Sequence, residues 1–235
     1  RSYSVTGVQT CALPICEYPW LRPTSAAARC GAGPPRRYGR RTMDGGRTQR
    51  VLYVDCAPFT GGAQRSLLSL VEGVRGRGWE PEVLTADASP YGVAAACRRL
   101  EVPVRELHTR HWRRSPWGAF QFACDRWLAG RRIAAAIQAA PPALVHANTV
   151  RAALLLPSQA WSRLPVVVHD RDLRVPAPAV RYLGRRGGRI IAISRGVAGK
   201  WRGVTDRVVV IPNGFDIDSL RRSEEHTSEL QSPNT

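Results

Sequence analysis

The sequence is poor in acidic residues, in lysine and in long apolar runs. It contains 18 acidic against 35 basic residues, for a formal net charge of +17, and Lys200 is its single lysine. Arginine and alanine are abundant throughout, which is typical of a GC-rich genome rather than of one selected basic patch, so we do not expect sequence-specific nucleic-acid binding. Contact with an anionic membrane surface or with phosphate stays open. No run approaches the roughly 20 apolar residues that a membrane-spanning helix requires.

The cysteines argue against a disulfide framework and against a metal centre. The chain has six of them, of which Cys56, Cys97 and Cys124 lie in the stretch that we interpret below as the folded domain. Three cysteines that are far apart in sequence fit neither a set of disulfides nor the spacing of a zinc site. We therefore expect a protein of the reducing cytoplasm, in contact with a membrane surface at most, that holds no metal and no cofactor.

The two ends of the chain encode related DNA. One codon choice for Arg222–Gln231 is AGATCGGAAGAGCACACGTCTGAACTCCAG. The reverse complement of that DNA, translated from its third nucleotide, reads GVQTCALPI, which is the sequence of Gly7–Ile15. Both ends resemble translated sequencing-adapter DNA that was joined to one genomic insert in opposite orientations. We therefore exclude both ends from fold reasoning, as processing scars are excluded.

The segment between the adapter-like start and Met43 has no hydrophobic period. Residues 17–42 are rich in Arg, Ala, Pro and Gly, and Met43 is the one methionine of the chain. We interpret residues 1–42 as adapter-derived and upstream translated sequence without a fold, residues 43–221 as the domain, and residues 222–235 as an adapter-derived tail. The alternative for residues 17–42 is a natural disordered arm that binds nucleic acid through its arginines.

The start of the domain reads as a buried strand, a glycine turn and an amphipathic helix. Residues 51–54 form an apolar run, and the helix should begin near Thr60 or Gly61. Apolar residues then recur at three- and four-residue steps, at Leu67, Leu68, Val71 and Val74. Gly61 and Gly62 let the backbone N–H groups at the helix start approach a phosphate closely. The alternative is that a strand-to-helix turn uses glycine for its backbone angles.

Strands and helices alternate to the end of the domain. Further strands are predicted at 82–85, 102–107, 143–147, 165–168, 189–193 and 207–211, and helices at 91–100, 119–139, 149–162, 179–186 and 194–201. Apolar strands that alternate with helices indicate an α/β fold with a doubly wound parallel sheet of Rossmann-like type. Such sheets bind ligands beyond the carboxyl ends of their strands. The residues predicted there are Gly61, Gly62, His146, His169, Asp170 and Ser194.

Five short motifs, taken in order, resemble those of a known family. They are GGAQRS at 61–66, VHANT at 145–149, VVHD at 167–170, IAIS at 191–194 and VIPNGFD at 210–216. In this order and spacing they resemble the N-terminal domain of GT-B glycosyltransferases of family 4, in which two Rossmann-like domains face each other across a cleft. Two positions depart mildly from the family pattern. Gln64 stands where Glu is usual, and Phe215 stands where Val or Ile is usual.

The resemblance implies transfer of a sugar from a nucleotide-sugar donor to an acceptor hydroxyl, with the anomeric configuration retained. It places Gly61 and Gly62 at the donor diphosphate and His169 at the reacting sugar. It also suggests four residues that either contact the acceptor or hold such contacts in position: His146, Asn148, Asp170 and Ser194. No cofactor is implied, because the nucleotide-sugar is a co-substrate, and the acceptor is not identified.

The residues by themselves permit other interpretations. The fold and the glycine turn would equally suit a nucleotide- or phosphate-binding module without catalysis, since fold does not fix function. A basic nucleic-acid binder is the third interpretation, and it would show salt-sensitive binding to any DNA. Without the family resemblance, His169 reads as a histidine that closes a strand end through a backbone hydrogen bond. Because the domain ends soon after Asp216, where the family places the link to its donor-binding domain, we expect this chain alone to be inactive.

Overall fold

A computed structural model of the chain describes residues 49–109 and 115–214. Its strands are β1 (Gln49–Asp55), β2 (Trp79–Thr85), β3 (Val104–Glu106), β4 (Leu144–Ala147), β5 (Val166–Asp170), β6 (Arg189–Ala192) and β7 (Val208–Val210). Its helices are α1 (Gly62–Arg75), α2 (Val93–Arg99), α3 (Pro116–Ala139), α4 (Val150–Leu155), α5 (Ser158–Arg163), α6 (Ala177–Gly184) and α7 (Arg195–Ala198), and a 3₁₀ turn, Gly199–Trp201, follows α7. The expectations for residues 1–42, for residues 222–235 and for Phe215 lie outside the described residues.

The strands form one parallel sheet in the order β3-β2-β1-β4-β5-β6-β7. β1 pairs with β2 on one side and with β4 on the other, so the chain builds one half outwards from β1 and then crosses back to build the other half from β4. The predicted doubly wound α/β fold is confirmed. The strand order reverses between β1 and β4, and such a switch point is where doubly wound sheets bind ligands.

The strand register determines which side chains share a face of the sheet. Tyr53 lies opposite His146, and His146 lies opposite Val167. Alternate residues of a strand point to the same face, so His169 shares the face of Tyr53 and His146, whereas Asp170 belongs to the opposite face. That opposite face packs into the main apolar core, with side chains from α3, α4 and α6.

α1 is the amphipathic helix that the sequence predicts. It begins at Gly62 after Gly61 as its N-cap, and Leu67, Val71 and Val74 are buried along one side. Full burial of a side chain such as Leu67 stabilises the fold by about 1.5–3 kcal/mol, which fixes the helix against the sheet. None of the helices in the described part of the chain is both long enough and apolar enough to cross a membrane.

Two elements differ from their predicted bounds. The helix predicted at 149–162 is two helices, α4 and α5, because Pro157 has no N–H to donate and disfavours helical angles at Leu156, which is extended with ψ of 131°. β5 runs on to Asp170, so His169 and Asp170 lie within the strand rather than after it. The prediction ended that strand at Val168 because the next two residues are polar.

β2 is longer than predicted and contains a proline. Pro81 pairs with Val51 of β1, whereas β3 pairs with β2 only from Val83 onwards. On the side that faces β3, residues 79–82 therefore have no partner strand. The N–H that Pro81 lacks would point to that side, so no hydrogen bond between strands is lost. The predicted strand began at Glu82, one residue after this proline.

Candidate functional site

Polar side chains are buried at the switch point of the sheet. Asp55 at the end of β1, His146 in β4, Asn148 just after β4 and His169 in β5 are each less than 9% exposed. Central parallel strands are ordinarily apolar on both faces, and buried polar groups require hydrogen-bond partners. These four side chains therefore belong to a built polar arrangement rather than to the apolar core.

A chain of hydrogen bonds connects β1, α1 and β4. Asp55 Oδ1 accepts from Gln64 Nε2 at 3.0 Å and from Asn148 Nδ2 at 3.0 Å. Gln64 Oε1 in turn accepts from the backbone N–H of Gly61 at 3.1 Å. Burial raises the pKa of Asp55, and the two side-chain amides oppose that rise. The first turn of α1 is thereby fixed to the carboxyl ends of two neighbouring strands.

Arg171 extends this chain to His169 and determines its tautomer. Arg171 Nη2 lies 3.3 Å from Asn148 Oδ1 and 3.1 Å from His169 Nδ1. A guanidinium can only donate, so His169 Nδ1 accepts, and in the neutral ring the hydrogen is on Nε2. Burial, His146 and Arg171 together lower the pKa of His169 to about 2, so the ring is neutral at pH 7. His169 Nε2 has no hydrogen-bond partner among the residues described, which leaves a buried N–H donor for a ligand.

His146 packs against His169 on the same face of the sheet. Its ring centroid is 5.1 Å from that of Tyr53 and 5.6 Å from that of His169, the latter in an edge-to-face arrangement. Burial, with a contribution from Arg171, lowers the pKa of His146 to about 3. Its Nε2 atom also has no hydrogen-bond partner within residues 49–109 and 115–214. Two neutral histidines thus lie side by side, next to a partly buried guanidinium.

The two glycines at the start of α1 are not required by backbone angles. Gly61 is extended, with φ of −125°, and Gly62 is not among the residues with positive φ. A Cβ on Gly62 would meet nothing within 4 Å. The angle-based explanation of the pair is therefore wrong, and the space in front of the helix start is open.

Asp87 holds the loop before α1 and is a residue that sequence reasoning missed. Its carboxylate accepts from Thr60 Oγ1 at 2.5 Å, from Ser89 Oγ at 2.7 Å and from the backbone N–H of Val93 at 3.3 Å. Burial alone would raise the pKa of Asp87, but these hydrogen bonds outweigh it and lower that pKa. Asp87 thereby joins the glycine turn to the start of α2.

Replacing Gly92 with alanine should lower the free energy of unfolding by about 1–3 kcal/mol, as overpacking does. A Cβ at Gly92 would collide with the Asp87 carboxylate and would lie 2.6 Å from Ser89 Oγ. Gly199→Ala is the matched control, because a Cβ there would meet nothing within 4 Å. Urea denaturation of the parent chain and both variants measures the difference. Equal stability of all three would show that the Asp87 hydrogen bonds do not form.

Asp170 and Ser194 are used within the fold. Asp170 is fully buried and accepts from Trp201 Nε1 at 2.7 Å, and it pairs with Lys200 Nζ at 2.9 Å. Burial raises the pKa of Asp170, and both partners oppose that rise. Ser194 Oγ accepts from the backbone N–H of Val197 at 3.2 Å and caps α7. Within the described residues, the hydrogen-bond partners of these two side chains are Val197, Lys200, Trp201 and the backbone of Asp172, not the histidines. Their predicted contacts to an acceptor stay predictions.

The structure thus brings together His146, Asn148 and His169, and it links Gly61 to them through Gln64. Asp55 and Arg171 complete the arrangement, although sequence reasoning did not single them out. A charged residue at the end of the first predicted strand was the available signal for Asp55. Within the described residues there is no group of three or more His, Cys, Asp or Glu side chains placed to hold a metal ion.

A family model described as Glycosyltransferase Family 4 matches residues 60–219 of the chain. No curated protein matches it. Among solved structures, a glycosyltransferase from Rickettsia africae ESF-5 is similar with a TM-score of 0.57 at 16% identity, over 80% of this chain and 51% of that chain. Anabaena HepE in complex with UDP and glucose is similar with a TM-score of 0.53 at 20% identity, over 75% of this chain and 50% of that chain.

The same fold also occurs with other chemistry. A UDP-N-acetylglucosamine 2-epimerase is similar with a TM-score of 0.51 at 12% identity, over 71% of this chain and 49% of that chain. At such identities the likeness shows the fold alone, because one fold hosts many functions. The chain spans about half the length of the solved structures that it matches.

Proposed function

Because the chain belongs to glycosyltransferase family 4, we propose that it is the N-terminal, acceptor-side domain of an enzyme that transfers a sugar from a nucleotide-sugar to an acceptor hydroxyl, with the anomeric configuration retained. One observation carries this proposal. The Nε2 atoms of His146 and His169, buried at the switch point of the sheet, have no hydrogen-bond partner among the described residues. Each such atom costs about 1–3 kcal/mol, and a polyhydroxylated ligand offers the missing partners.

His169 holds the reacting sugar as a hydrogen-bond donor. Its Nδ1 accepts from Arg171, so Nε2 carries the hydrogen and points to a hydroxyl oxygen of the sugar. The same arrangement prevents His169 from acting as a general base, because neither ring nitrogen has a free lone pair. When the bond between the anomeric carbon and the nucleotide diphosphate breaks, His169 therefore positions the sugar and takes no proton.

The start of α1 binds the donor diphosphate. The first backbone N–H groups of a helix lack intrahelical partners, and the helix dipole favours an anion there. The open space at Gly62 lets a phosphate approach the backbone closely. Charge that develops on the leaving diphosphate is stabilised by donors that are already in place. Asp55 and Gln64 fix these donors relative to His169.

The other predicted residues act through these contacts. Asn148 orients Arg171, and His146 packs against the His169 ring while its own Nε2 offers a second contact to the ligand. Asp170 and Ser194 support the strand end and the cap of α7 that follow the site. We place the reaction in the cytoplasm, where Cys56, Cys97 and Cys124 would stay reduced as the free thiols seen in the structure.

In the full-length enzyme, His169→Ala should lower kcat/KM for sugar transfer about 5- to 150-fold, which corresponds to about 1–3 kcal/mol for a buried sugar hydroxyl that loses its hydrogen-bond donor. His169→Gln keeps an N–H donor near the position of Nε2 and should retain more of the rate. His108→Ala removes an exposed histidine and is the matched control.

Initial rates with a panel of nucleotide-sugars measure these effects. This chain alone serves as the blank and should transfer no sugar, because α1 offers the donor only a few hydrogen bonds. Such bonds barely offset the cost of immobilising a ligand and give an affinity no better than about millimolar. If His169→Ala transfers sugar at the parent rate, His169 has only a structural role at the end of its strand. Micromolar binding by this chain without any transfer would favour a non-catalytic nucleotide-binding module.

A further inference from the structure

The outer side of α3 carries large aromatic side chains in solvent. Trp117 is 65% exposed, Phe120 is 59% exposed and Trp127 is 60% exposed. The residues of α3 that are buried are Gly118, Asp125, Ala129, Ile133 and Ala136. At about 100° per residue, the three aromatic residues fall on one side of the helix and the five buried residues fall nearly opposite. The exposed rings thus form a second face of α3, which does not pack into the core.

A cation completes this second face, and no carboxylate interrupts it. The Arg131 guanidinium lies 4.9 Å from the ring centroid of Trp127, and the Trp117 and Phe120 rings are stacked at 5.5 Å. The single acidic residue in the sequence of α3 is Asp125, which is only 2% exposed. We call Trp117, Phe120, Trp127 and Arg131 the aromatic face.

We propose that the aromatic face lies against the surface of a membrane that contains anionic lipids. Tryptophan is enriched at the level of lipid headgroups, where an amphipathic ring contacts both apolar and polar groups. A helix that shows aromatic and basic side chains on one side binds in the plane of such an interface. The excess of 27 basic over 14 acidic residues within residues 43–221 attracts the domain to anionic lipid, and the aromatic face determines which side meets it.

A second copy of the chain fits this face less well. A fully buried aromatic side chain covers about 150–250 Å², so three rings that are three-fifths exposed offer roughly 400 Å². A stable dimer needs about 800 Å² on each partner. Arg131 of one copy would also meet Arg131 of the other across a symmetric interface. A lipid surface needs no such matched area and supplies the opposite charge.

The position of α3 would bring a membrane on the aromatic face close to the candidate site, and this step rests on the proposed function. α3 connects the carboxyl end of β3 to the amino end of β4, so its N-terminal part lies on the carboxyl side of the sheet, the side that carries His169 and the start of α1. Trp117 and Phe120 are in the first two turns of α3. A membrane on the aromatic face would therefore lie near the open edge of the site, where an acceptor hydroxyl carried by a lipid would be presented.

Co-sedimentation with vesicles tests the aromatic face directly. The full chain should bind vesicles of 30% phosphatidylglycerol in phosphatidylcholine at least tenfold more tightly than vesicles of phosphatidylcholine alone. The triple variant Trp117→Ala, Phe120→Ala, Trp127→Ala keeps the charge and should lose at least tenfold in affinity for the anionic vesicles. Tyr91→Ala and Phe59→Ala, combined in one control, remove exposed aromatic rings outside α3 and should lose much less affinity than the triple variant. Circular dichroism confirms that each variant is folded.

A second comparison isolates the contribution of charge. Arg131→Gln should weaken binding to anionic vesicles more than Arg163→Gln, which removes an exposed arginine at the end of α5. Unchanged binding by the triple aromatic variant would overturn the proposal and leave only diffuse attraction by net charge. A concentration-dependent dimer in sedimentation velocity that the triple variant abolishes would overturn it in favour of a second copy. The assay measures no sugar transfer, so its failure would leave the proposed function untouched.

Discussion

Lowering the pH from 7 to 5 should reduce the free energy of unfolding by about 4 kcal/mol through His146 and His169. Burial lowers the pKa of His146 to about 3 and that of His169 to about 2, whereas both return to about 6.5 in the unfolded chain. Between those values the unfolded state binds two protons that the folded state does not. Stability therefore falls as pH falls, at about 1.4 kcal/mol per pH unit for each histidine once the pH is below 6.5.

Two carboxylates act in the opposite direction. Burial raises the pKa values of Asp55 and Asp170, so the folded state takes up their protons at a higher pH than the unfolded state does. Each therefore contributes stability at low pH that is lost as the pH rises through its folded pKa. For this reason the histidine effect is best measured as a difference between variants, in which the carboxylate effects cancel.

His169→Gln supplies that difference. Urea denaturation at pH 7 and at pH 5 should show that the variant loses about 2 kcal/mol less on acidification than the parent chain, because one of the two titrating rings is gone. His108→Gln is the matched control, because it makes the same replacement at an exposed histidine outside the site. Identical pH dependence of the parent chain and His169→Gln would mean that the His169 ring is accessible to protons in the folded state.

The architecture could be predicted from the sequence because it depends on local patterns. Strands buried on both faces are continuous apolar runs, such as residues 51–54, and a helix such as α1 repeats its apolar side at a fixed period. The alternation of the two implies a parallel sheet and its switch point. The break between α4 and α5 was also readable, since Pro157 stands in the middle of the predicted helix.

The interior of the site could not be predicted in the same way, because its partners are distant in sequence. Asp55 meets Asn148 from 93 positions away, and Asp170 meets Trp201 from 31 positions away. A polar residue next to an apolar run reads as the start of a loop, yet His169 and Asp170 lie within β5. Whether such a residue is instead buried depends on a partner that no local period reveals.

Asp170→Ala should cost about 3–5 kcal/mol of folding free energy, as the loss of one partner of a buried ion pair does. Asp170 is fully buried, and its two oxygens accept from Trp201 Nε1 at 2.7 Å and from Lys200 Nζ at 2.9 and 3.1 Å. Trp201 is itself fully buried, and the Lys200 side chain is 14% exposed. The substitution therefore leaves a buried N–H and a largely buried ammonium without their acceptor.

The loss should affect more than one ion pair, because Asp170 contacts both β6 and the 3₁₀ turn that follows α7. The backbone of Asp170 pairs with Ala192 of β6, and its side chain holds the 3₁₀ turn after α7. With the carboxylate gone, this turn can be held only by apolar packing. We expect the β6 and β7 region to open first, with loss of amide protection there before β1 and β4.

A nearby residue provides the control for this prediction. Asp172→Ala removes an exposed carboxylate two positions away and should change stability by less than about 0.5 kcal/mol. Trp201→Phe keeps most of the ring but removes the N–H, and it should cost about 1–3 kcal/mol, so the test survives even if Asp170→Ala does not fold. Guanidinium denaturation with native-state amide exchange measures both quantities. A cost below about 1 kcal/mol for Asp170→Ala, with equal stability of Trp201→Phe and the parent chain, would mean that this carboxylate is hydrated in solution.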